Sequence, residues 1–201
     1  MNQDGGVVIG ELTSSQIEDV VRLHLAGMNY SLNAQLGKPH LAFLYEAMRE
    51  DPACYVGVAT LNEKPVGVIS GSADAGAFTS TLLKKMPARN LIGIALRFMQ
   101  RPRLAWLWLQ AARIAAPIRW ESEEVRAVLT AIVVDESVQG RGVGRALVGA
   151  LEAFLRRQEV GAYRLDTKLT NERSAEFYRR FGFQESARRA DSIIFVRGLD
   201  K

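Results

Sequence analysis

The chain has 201 residues, of which 48% are hydrophobic and 24% charged, with 26 basic and 22 acidic side chains. This composition excludes a disordered or fibrous protein, and the length predicts a single domain over residues 1–201. Cys54 is the only cysteine, which excludes an intrachain disulfide and a multi-cysteine metal site. Residues 1–6 lack the basic and apolar regions of a signal peptide, so we expect a cytoplasmic protein.

Hydrophobic periodicity predicts five elements in the first third of the chain. They are a strand over 7–11, a helix from about 15 to 26, a helix over 39–49, and strands over 54–61 and 66–72. Ser14 or Ser15 is the expected N-cap of the first helix, with Glu18 in its first turn. Residues 62–65 form a hairpin-like turn, so the two strands are expected to pair antiparallel.

Residues 73–120 are the most individual part of the chain. They contain eight basic residues against one acid, Asp74, together with all three tryptophans. The apolar stretch 91–118 is interrupted by arginines, which argues against a membrane span. We predict a basic, aromatic insertion of two helices with a hinge near Pro102. Three interpretations remain open: a helical pair packed on the core or on a homodimer partner, a lid recruiting an anionic acceptor, or a peripheral contact with anionic lipid.

The second half alternates strands and helices. The predicted elements are a strand over 125–134, a helix over 145–158, a strand over 163–167, a helix over 171–181 and a strand over 192–196. With the first half, this pattern indicates an α+β fold with a mixed central sheet flanked by helices. His24 and His40 lack the spacing of a metal pair, so no metal is expected, and solvated or core-edge imidazoles are the simpler interpretation.

A glycine-rich segment lies between the 125–134 strand and the following helix. It comprises Gln139, Gly140, Arg141, Gly142, Val143, Gly144 and Arg145. Alternate glycines and a helix N-terminus favour an anionic ligand held by backbone N–H groups. The segment lacks the Lys-Ser or Lys-Thr of a loop that binds nucleoside triphosphates, and Arg145 stands where a dinucleotide-binding motif has its third small residue. The remaining pattern, Gln-x-x-Gly-x-Gly, suits a pyrophosphate.

Two motifs together resemble the GNAT N-acetyltransferase superfamily. The first is the segment 139–144 after its strand, which is similar to the family's acetyl-CoA loop. The second is 171–183, Asn-Glu-Arg-Ser-Ala-Glu-Phe-Tyr-Arg-Arg-Phe-Gly-Phe, which is similar to the family's Asn-x-x-Ala-x-x-Phe-Tyr segment. Together they span about 125–184. The resemblance implies a GNAT-like acyl-CoA N-acyltransferase fold and acetyl-CoA as co-substrate.

The resemblance also implies site roles. Segment 139–145 would hold the pyrophosphate, and Asn171 the pantetheine arm. The backbone of Ile132, Val133 and Val134 would line a slot opened by a bulge. Tyr178 would protonate the departing thiolate, which suits a phenol that stays protonated at neutral pH. Phe177 and Phe181 are expected in the core. No general base is assigned, since Val128 occupies the position where some relatives carry a glutamate; a water chain and four nearby carboxylates remain open, Glu123, Glu124, Asp135 and Asp166.

The expected activity is transfer of the acetyl group of acetyl-CoA to a primary amine of a small molecule, by direct attack in a ternary complex. The basic insertion favours an amino sugar or sugar nucleotide as acceptor. Alternatives are a protein or peptide acceptor and, in another class, a non-catalytic acyl-CoA-binding sensor or scaffold. A nucleic-acid partner is not expected.

Overall fold

The computed structural model describes residues 6–106, 108, 117–121, 123–189 and 191–199. Within these residues the strands are β1 Val8–Glu11, β2 Cys54–Leu61, β3 Lys64–Ser72, β4 Ile118–Trp120, β5 Glu123–Val125, β6 Ala127–Val134, β7 Ala162–Lys168, β8 Gln184–Arg188 and β9 Ser192–Gly198. The helices are α1 Ile17–Gly27, α2 Leu32–Gln35, α3 Lys38–Glu50, α4 Ala75–Lys85, α5 Ala88–Gln100, α6 Val143–Arg157 and α7 Glu172–Arg180. Short 3-10 turns cover Ser14–Gln16 and Glu136–Val138, and residues 102–106 and 108 are also helical.

Seven strands form one mixed sheet in the order β1-β2-β3-β6-β7-β9-β8. The β6–β7 pair is parallel and the other neighbours are antiparallel. The predicted α+β fold is confirmed, including the β2–β3 hairpin, whose turn residues Asn62 and Glu63 both have positive φ. The sequence prediction missed β8 and treated β5 and β6 as one strand, although the ladder is interrupted at Arg126.

The sheet is covered by helices on both faces. On one face, α1 and α3 bury Val20, Leu41 and Met48 against β2 and β3. On the other face, α6 presents Leu147, Leu151 and Leu155, each fully buried and four residues apart, against the same strands and β6. A row with this spacing lies along one side of a helix, so α6 is fixed on the sheet along its length.

Strand β6 separates from its parallel neighbour β7 after two paired residues. It pairs with β7 only at Ala127 and Val128, and its register with β3 shifts so that Thr130 is an extra residue. A bulge bends its strand and exchanges the faces of the residues that follow. Leu129 and Ile132 accordingly contact the α6 side, whereas Val133 contacts the α1 side. The bulge thereby opens a slot between β6 and β7.

The 73–120 segment differs from the prediction in two respects. It contains helices α4 and α5 and a third helical stretch starting at Pro102, and its last residues, Ile118–Trp120, are the strand β4 rather than helix. The predicted break near Pro102 is confirmed, because α5 ends at Gln100. Residues 107 and 109–116 lie outside the described residues. Across the described residues, no helix is both long and apolar enough to cross a bilayer.

Helix α5 packs beside the segment that connects α1 to α3. Met86 and Ile94 bury against Leu36, and Arg97 donates a 3.0 Å hydrogen bond to the carbonyl oxygen of Gln35. A charged donor to a backbone carbonyl fixes both partners. The insertion therefore supports α2, which forms a wall of the site described next.

Two local predictions in the first half were wrong. Thr13 caps the 3-10 turn through a reciprocal pair with Gln16, and Gln16 precedes α1, so neither Ser14 nor Ser15 is the N-cap. His24 and His40 are not at the core edge, since they are 2% and 6% exposed. Burial lowers the pKa of each imidazole to about 4. Both histidines are therefore neutral at physiological pH.

Candidate active site

A cavity of about 850 Å³ occupies the slot between β6 and β7. Its lining residues come from five parts of the fold: Met28, Tyr30, Ser31, Leu32 and Gln35 around α2; Trp106 of the insertion; Leu129, Thr130, Ala131 and Ile132 of β6; Leu165, Asp166, Thr167 and Lys168 of β7; and Ser174, Tyr178, Arg189, Asp191 and Ser192. Two of the predicted site residues, Ile132 and Tyr178, lie directly on this cavity.

The free edge of β6 supplies backbone hydrogen-bonding groups to the slot. Asp135 donates its N–H to the Val66 carbonyl oxygen at 2.8 Å, and backbone direction alternates along an antiparallel pair. Val133 therefore directs its N–H and C=O toward β3, while Ile132 and Val134 direct theirs toward the slot. Of the three predicted backbone contacts, Ile132 and Val134 face the place where a ligand would lie.

The glycine segment turns sharply into α6. Gly140 and Gly142 have φ of +78° and +80°, a region that side chains disfavour, and a Cβ at either position would meet no atom within 4 Å. Glycine is thus required here by the backbone and not by crowding. Gly142 caps α6 without a side-chain acceptor, and the first intrahelical bond runs from Ala146 N to Gly142 O at 3.0 Å.

That cap leaves the first amides of α6 without an intrahelical acceptor. The N–H groups of Val143, Gly144 and Arg145 precede the first helical bond and point out of the helix end. The side chain of Val143 is buried at 4% exposure, so this residue can offer only its backbone. Together with the helix dipole, three such amides form a site for an anion.

Basic side chains surround this helix end. Arg141 and Arg145 are both exposed, and the Arg145 guanidinium lies 5.7 Å from the centre of the Phe181 ring. Arg173 from α7 reaches the same loop and donates a 2.7 Å hydrogen bond to Gln139 Oε1. The sequence motifs did not single out Arg173, because its role depends on how α7 lies beside the loop.

Tyr178 lies beside the slot on α7 and is 7% exposed. Its ring contacts Phe177, Phe183 and Phe195 with ring-centre distances of 5.4, 5.4 and 5.9 Å. Burial raises the pKa of this phenol above its ordinary value, and Tyr30 contributes to the same direction. The hydroxyl therefore stays protonated well above neutral pH, the state that a proton donor requires.

The other predicted residues of this helix have different surroundings. Asn171 is the N-cap of α7, and its Oδ1 accepts from Ser174 N at 3.2 Å while its Nδ2 lies 3.4 Å from the Tyr30 hydroxyl. Phe177 and Phe181 are only partly buried, packed against the core rather than inside it. Asn171 thus starts the helix that carries Tyr178 and still has its amide nitrogen directed toward the cavity wall.

The opposite side of the cavity contains a charged cluster that sequence reasoning did not find. Asp166 lies 3.5 Å from both Arg164 and Arg189, and its side chain is 16% exposed. Burial raises the pKa of this carboxyl, and the two arginines oppose the rise. Asp191 is exposed on the same cavity. Alternation along β7 signals a buried strand but does not reveal that Asp166 borders a cavity.

A series of hydrogen bonds among buried and half-buried side chains supports the side of the cavity that α2 forms. His24 Nδ1 lies 2.7 Å from the Tyr45 hydroxyl, and its Nε2 lies 3.1 Å from Ser31 Oγ. Ser31 also caps α2 by accepting from Ala34 N. Because every member is buried or half-buried, this series fixes the position of the wall. Its residues carry no motif, so the sequence gave no signal for them.

Among the described residues, no group of three or more His, Cys, Asp or Glu side chains could hold a metal ion. Cys54 is 8% exposed in β2 and does not line the cavity. Burial raises the pKa of its thiol to about 12. A thiol in this state is a poor nucleophile.

The sequence profile of the Acetyltransferase (GNAT) family matches residues 17–183. The chain belongs to the GNAT acetyltransferase family. It is therefore an acetyl-CoA-dependent N-acetyltransferase with the seven-stranded mixed sheet of that fold. No curated protein matches the sequence.

Solved GNAT structures share this fold at low sequence identity. PaiA N-acetyltransferase from Thermoplasma acidophilum, in complex with coenzyme A, has a TM-score of 0.64 and 11% identity, covering 96% of this chain and 99% of that one. The ribosomal-protein-S18-alanine N-acetyltransferase from Escherichia coli has a TM-score of 0.60 and 16% identity, with 98% and 96% covered. A GNAT acetyltransferase from Staphylococcus aureus has a TM-score of 0.61 and 15% identity, with 97% and 100% covered.

Proposed function

We propose that this GNAT enzyme transfers the acetyl group of acetyl-CoA to a primary amine of a small molecule within a ternary complex. The observation that carries the proposal is the slot between β6 and β7. Along one side it has the N–H and C=O of Ile132 and the N–H of Val134, with Tyr178 beside it and the open amides of α6 beyond the end of β6.

Acetyl-CoA would lie along β6. Its pyrophosphate would accept hydrogen bonds from the amides of 143–145, near Arg141 and Arg145. Its pantetheine arm would pair with the backbone of Ile132 and Val134 as an added strand would, close to the amide of Asn171. From Val134 to Thr130 the strand runs roughly 13 Å, which brings the thioester to the bulge, where Tyr178 borders the cavity.

The reaction then involves the acceptor amine, the backbone N–H groups at the bulge and the Tyr178 hydroxyl. The neutral amine attacks the thioester carbonyl, and backbone N–H groups at the bulge polarise that carbonyl. The tetrahedral intermediate breaks its C–S bond, and the electron pair goes to the CoA sulfur. The Tyr178 hydroxyl gives its proton to this sulfur and regains one from solvent, while the attacking nitrogen loses a proton as the amide forms. Direct attack is favoured over an acyl-enzyme, because Cys54 does not line the cavity and keeps its thiol protonated.

Asp166 is our candidate for binding the incoming amine. It is the most buried carboxylate among the described cavity-lining residues, and a carboxylate attracts the protonated form of the acceptor. We assign it the role of holding the ammonium and accepting its proton, directly or through a water molecule. Burial raises the pKa of this carboxyl, which makes it a stronger proton acceptor, and Arg164 and Arg189 oppose the rise.

The acceptor class follows from the charges at the cavity mouth. Arg189 and Lys168 present cations next to Asp191, and Lys168 Nζ lies 5.6 Å from the centre of the Tyr30 ring. An acceptor that carries an amine and an anionic group satisfies both signs of charge. Phosphorylated amino sugars and nucleotide-linked amino sugars meet this description, and the ring of a sugar would also pack against Tyr30 or Trp106.

The test is thiol release from acetyl-CoA with a matched panel of amines. We expect amino sugars and their phosphorylated or nucleotide-linked forms to be turned over with a higher kcat/KM than alkyl amines of the same basicity. Faster turnover of peptides with free N-termini would replace the small-molecule acceptor by a protein one. If no amine in the panel is acetylated while the protein still binds coenzyme A, the non-catalytic sensor or scaffold is favoured.

A further inference from the structure

Helix α5 exposes an apolar face. Ile92, Leu96 and Met99 are 61%, 52% and 79% exposed and follow one another at spacings of four and three residues. Residues at this spacing share one side of a helix. The opposite side is the one that packs on the protein, through Asn90 and Ile94. A helix on a water-exposed surface normally has the reverse pattern, with polar residues outside.

Exposed large apolar side chains are concentrated in the insertion. Six of the nine large hydrophobic side chains found exposed among the described residues belong to the insertion: Leu83, Leu91, Ile92, Leu96, Met99 and Trp106. Scattered exposed apolar residues need no explanation, but a concentration in one segment marks an interaction surface. We call this set the α5 face.

After Asp74 the insertion itself carries charge of a single sign, while Glu18 and Glu46 of other helices share a surface pocket with Arg89. Residues 75–120 contain eight lysines and arginines and no acidic residue. Arg89 lies one turn from Ile92, and Arg101 and Arg103 follow the end of α5; all three are exposed. Long basic side chains beside apolar ones, with a tryptophan at the margin, suit the interface of an anionic bilayer, where the rings and alkyl groups enter and the cations meet headgroups.

We propose that the α5 face docks this enzyme peripherally on membranes that contain anionic lipid. Other occupants fit less well. Two copies meeting through the same face would oppose their identical cations, because a two-fold interface brings each patch against itself. Nucleic acid would leave the aliphatic stripe of Ile92, Leu96 and Met99 without a partner, since backbone and base contacts need polar groups.

Docking would also orient the active site. Trp106 belongs to the α5 face and lines the cavity, so the mouth of the cavity would lie next to the headgroup layer. The proposal concerns the location of the enzyme and does not depend on which amine accepts the acetyl group.

The test is vesicle co-flotation of the full chain at low and physiological salt. Vesicles of phosphatidylcholine with about one-third phosphatidylglycerol are compared with pure phosphatidylcholine. We expect binding to the anionic vesicles only. Met99→Glu places a charge in the lipid-facing stripe and should reduce binding at least tenfold. Arg89→Gln with Arg101→Gln should reduce it by about fivefold for each cation removed.

Matched controls lie elsewhere on the surface. Val8→Glu adds a charge at an apolar side chain that is 64% exposed on β1, and Lys64→Gln with Arg157→Gln removes two exposed cations outside the insertion. Both should bind vesicles as the parent does. Circular dichroism melts and coenzyme A titration show whether each variant is folded.

Several outcomes would overturn the proposal. These are absence of flotation with anionic vesicles, equal binding to neutral vesicles, or equal losses in the control variants. A homodimer that Met99→Glu dissociates, measured by analytical ultracentrifugation in the absence of lipid, would assign the face to a second copy instead. Binding of DNA or RNA that the same variant abolishes would likewise contradict it.

Discussion

The side chain of Gln139 donates a 2.9 Å hydrogen bond to the carbonyl oxygen of Val134, at the end of β6. Its amide oxygen meanwhile accepts from Arg173 of α7. One glutamine therefore ties the glycine segment to the strand before it and to the helix that carries Tyr178. Both polar groups of the Gln139 side chain are thus engaged within the protein, so we infer that it positions the glycine segment.

Replacing this glutamine tests that positioning role. We expect Gln139→Ala to weaken coenzyme A binding by roughly tenfold, because two hydrogen bonds, one of them to a charged group, contribute about 1 kcal/mol or more between them. Gln158→Ala is the matched control, since Gln158 lies at the other end of α6 and its side chain bonds only to the Pro52 carbonyl oxygen among the described residues. Calorimetry on both variants gives the comparison, and equal affinities would remove Gln139 from the account.

The left-handed glycines give a second prediction. Gly142→Ala should destabilise the protein by about 1–2 kcal/mol, because an alanine at φ +80° is strained although space is available. It should also weaken coenzyme A binding by misaligning the amides of α6. Gly149→Ala, at an open position inside the same helix, should instead stabilise the protein by about 1 kcal/mol. Denaturant midpoints measure both, and destabilisation of similar size in the two variants would contradict the argument.

Tyr178→Phe tests the proton donor. Removing the hydroxyl while keeping the ring preserves the contacts with Phe183 and Phe195, so we expect kcat to fall by about 100-fold or more with little change in the Kd for coenzyme A. Tyr55→Phe is the control, because Tyr55 lies in the core on β2, away from the cavity. Equal losses in kcat and in coenzyme A affinity would show that Tyr178 binds the cofactor rather than donating a proton.

The sequence predicted that the glycine segment leads into α6 and which face of α6 packs on the sheet, because both signals are local. Gly140 and Gly142 adopt a left-handed backbone conformation that glycine tolerates without strain, and Gly142 is the N-cap of α6. The α6 core face follows from the spacing of Leu147, Leu151 and Leu155. Asp166 was one of four carboxylates considered from the sequence, but its place on the cavity could not be predicted, and neither could those of Arg189 and the α2 wall, because they reach the cavity through strand order and a bulge, which periodicity does not encode. The burial of His24 was not predicted for a related reason: Tyr45 is distant in sequence, and Ser31 belongs to no recognisable motif.

The buried histidines predict how stability depends on pH. Because the pKa values of His24 and His40 fall from 6.5 unfolded to about 4 folded, the unfolded chain binds more protons between these values. Stability is thus fully present above pH 6.5 and is lost as pH falls toward 4, by up to roughly 3 kcal/mol for each histidine. Urea titrations at pH 7 and 5 measure the loss, and His40→Leu should about halve it. A pH-independent midpoint over this range would contradict the burial.

Asp166 should control the rate at the acceptor side. Asp166→Asn should raise the KM for the amine and lower kcat/KM, and should leave the Kd for coenzyme A unchanged, because the carboxylate lines the cavity whereas the proposed pyrophosphate amides of 143–145 do not. Since this change also removes a partner of the buried Arg164, a thermal melt must accompany the kinetics. Asp191→Asn, at an exposed carboxylate on the same cavity, should have the smaller effect. An unchanged amine KM in a folded Asp166→Asn protein would rule out the assignment.

The most direct test is a crystal structure of the protein with coenzyme A. The account predicts the pyrophosphate within hydrogen-bonding distance of the amides of Val143, Gly144 and Arg145, the pantetheine arm paired with Ile132 and Val134 between β6 and β7, and the sulfur next to the Tyr178 hydroxyl. A pyrophosphate bound away from the start of α6, or an arm lying outside the slot, would contradict it.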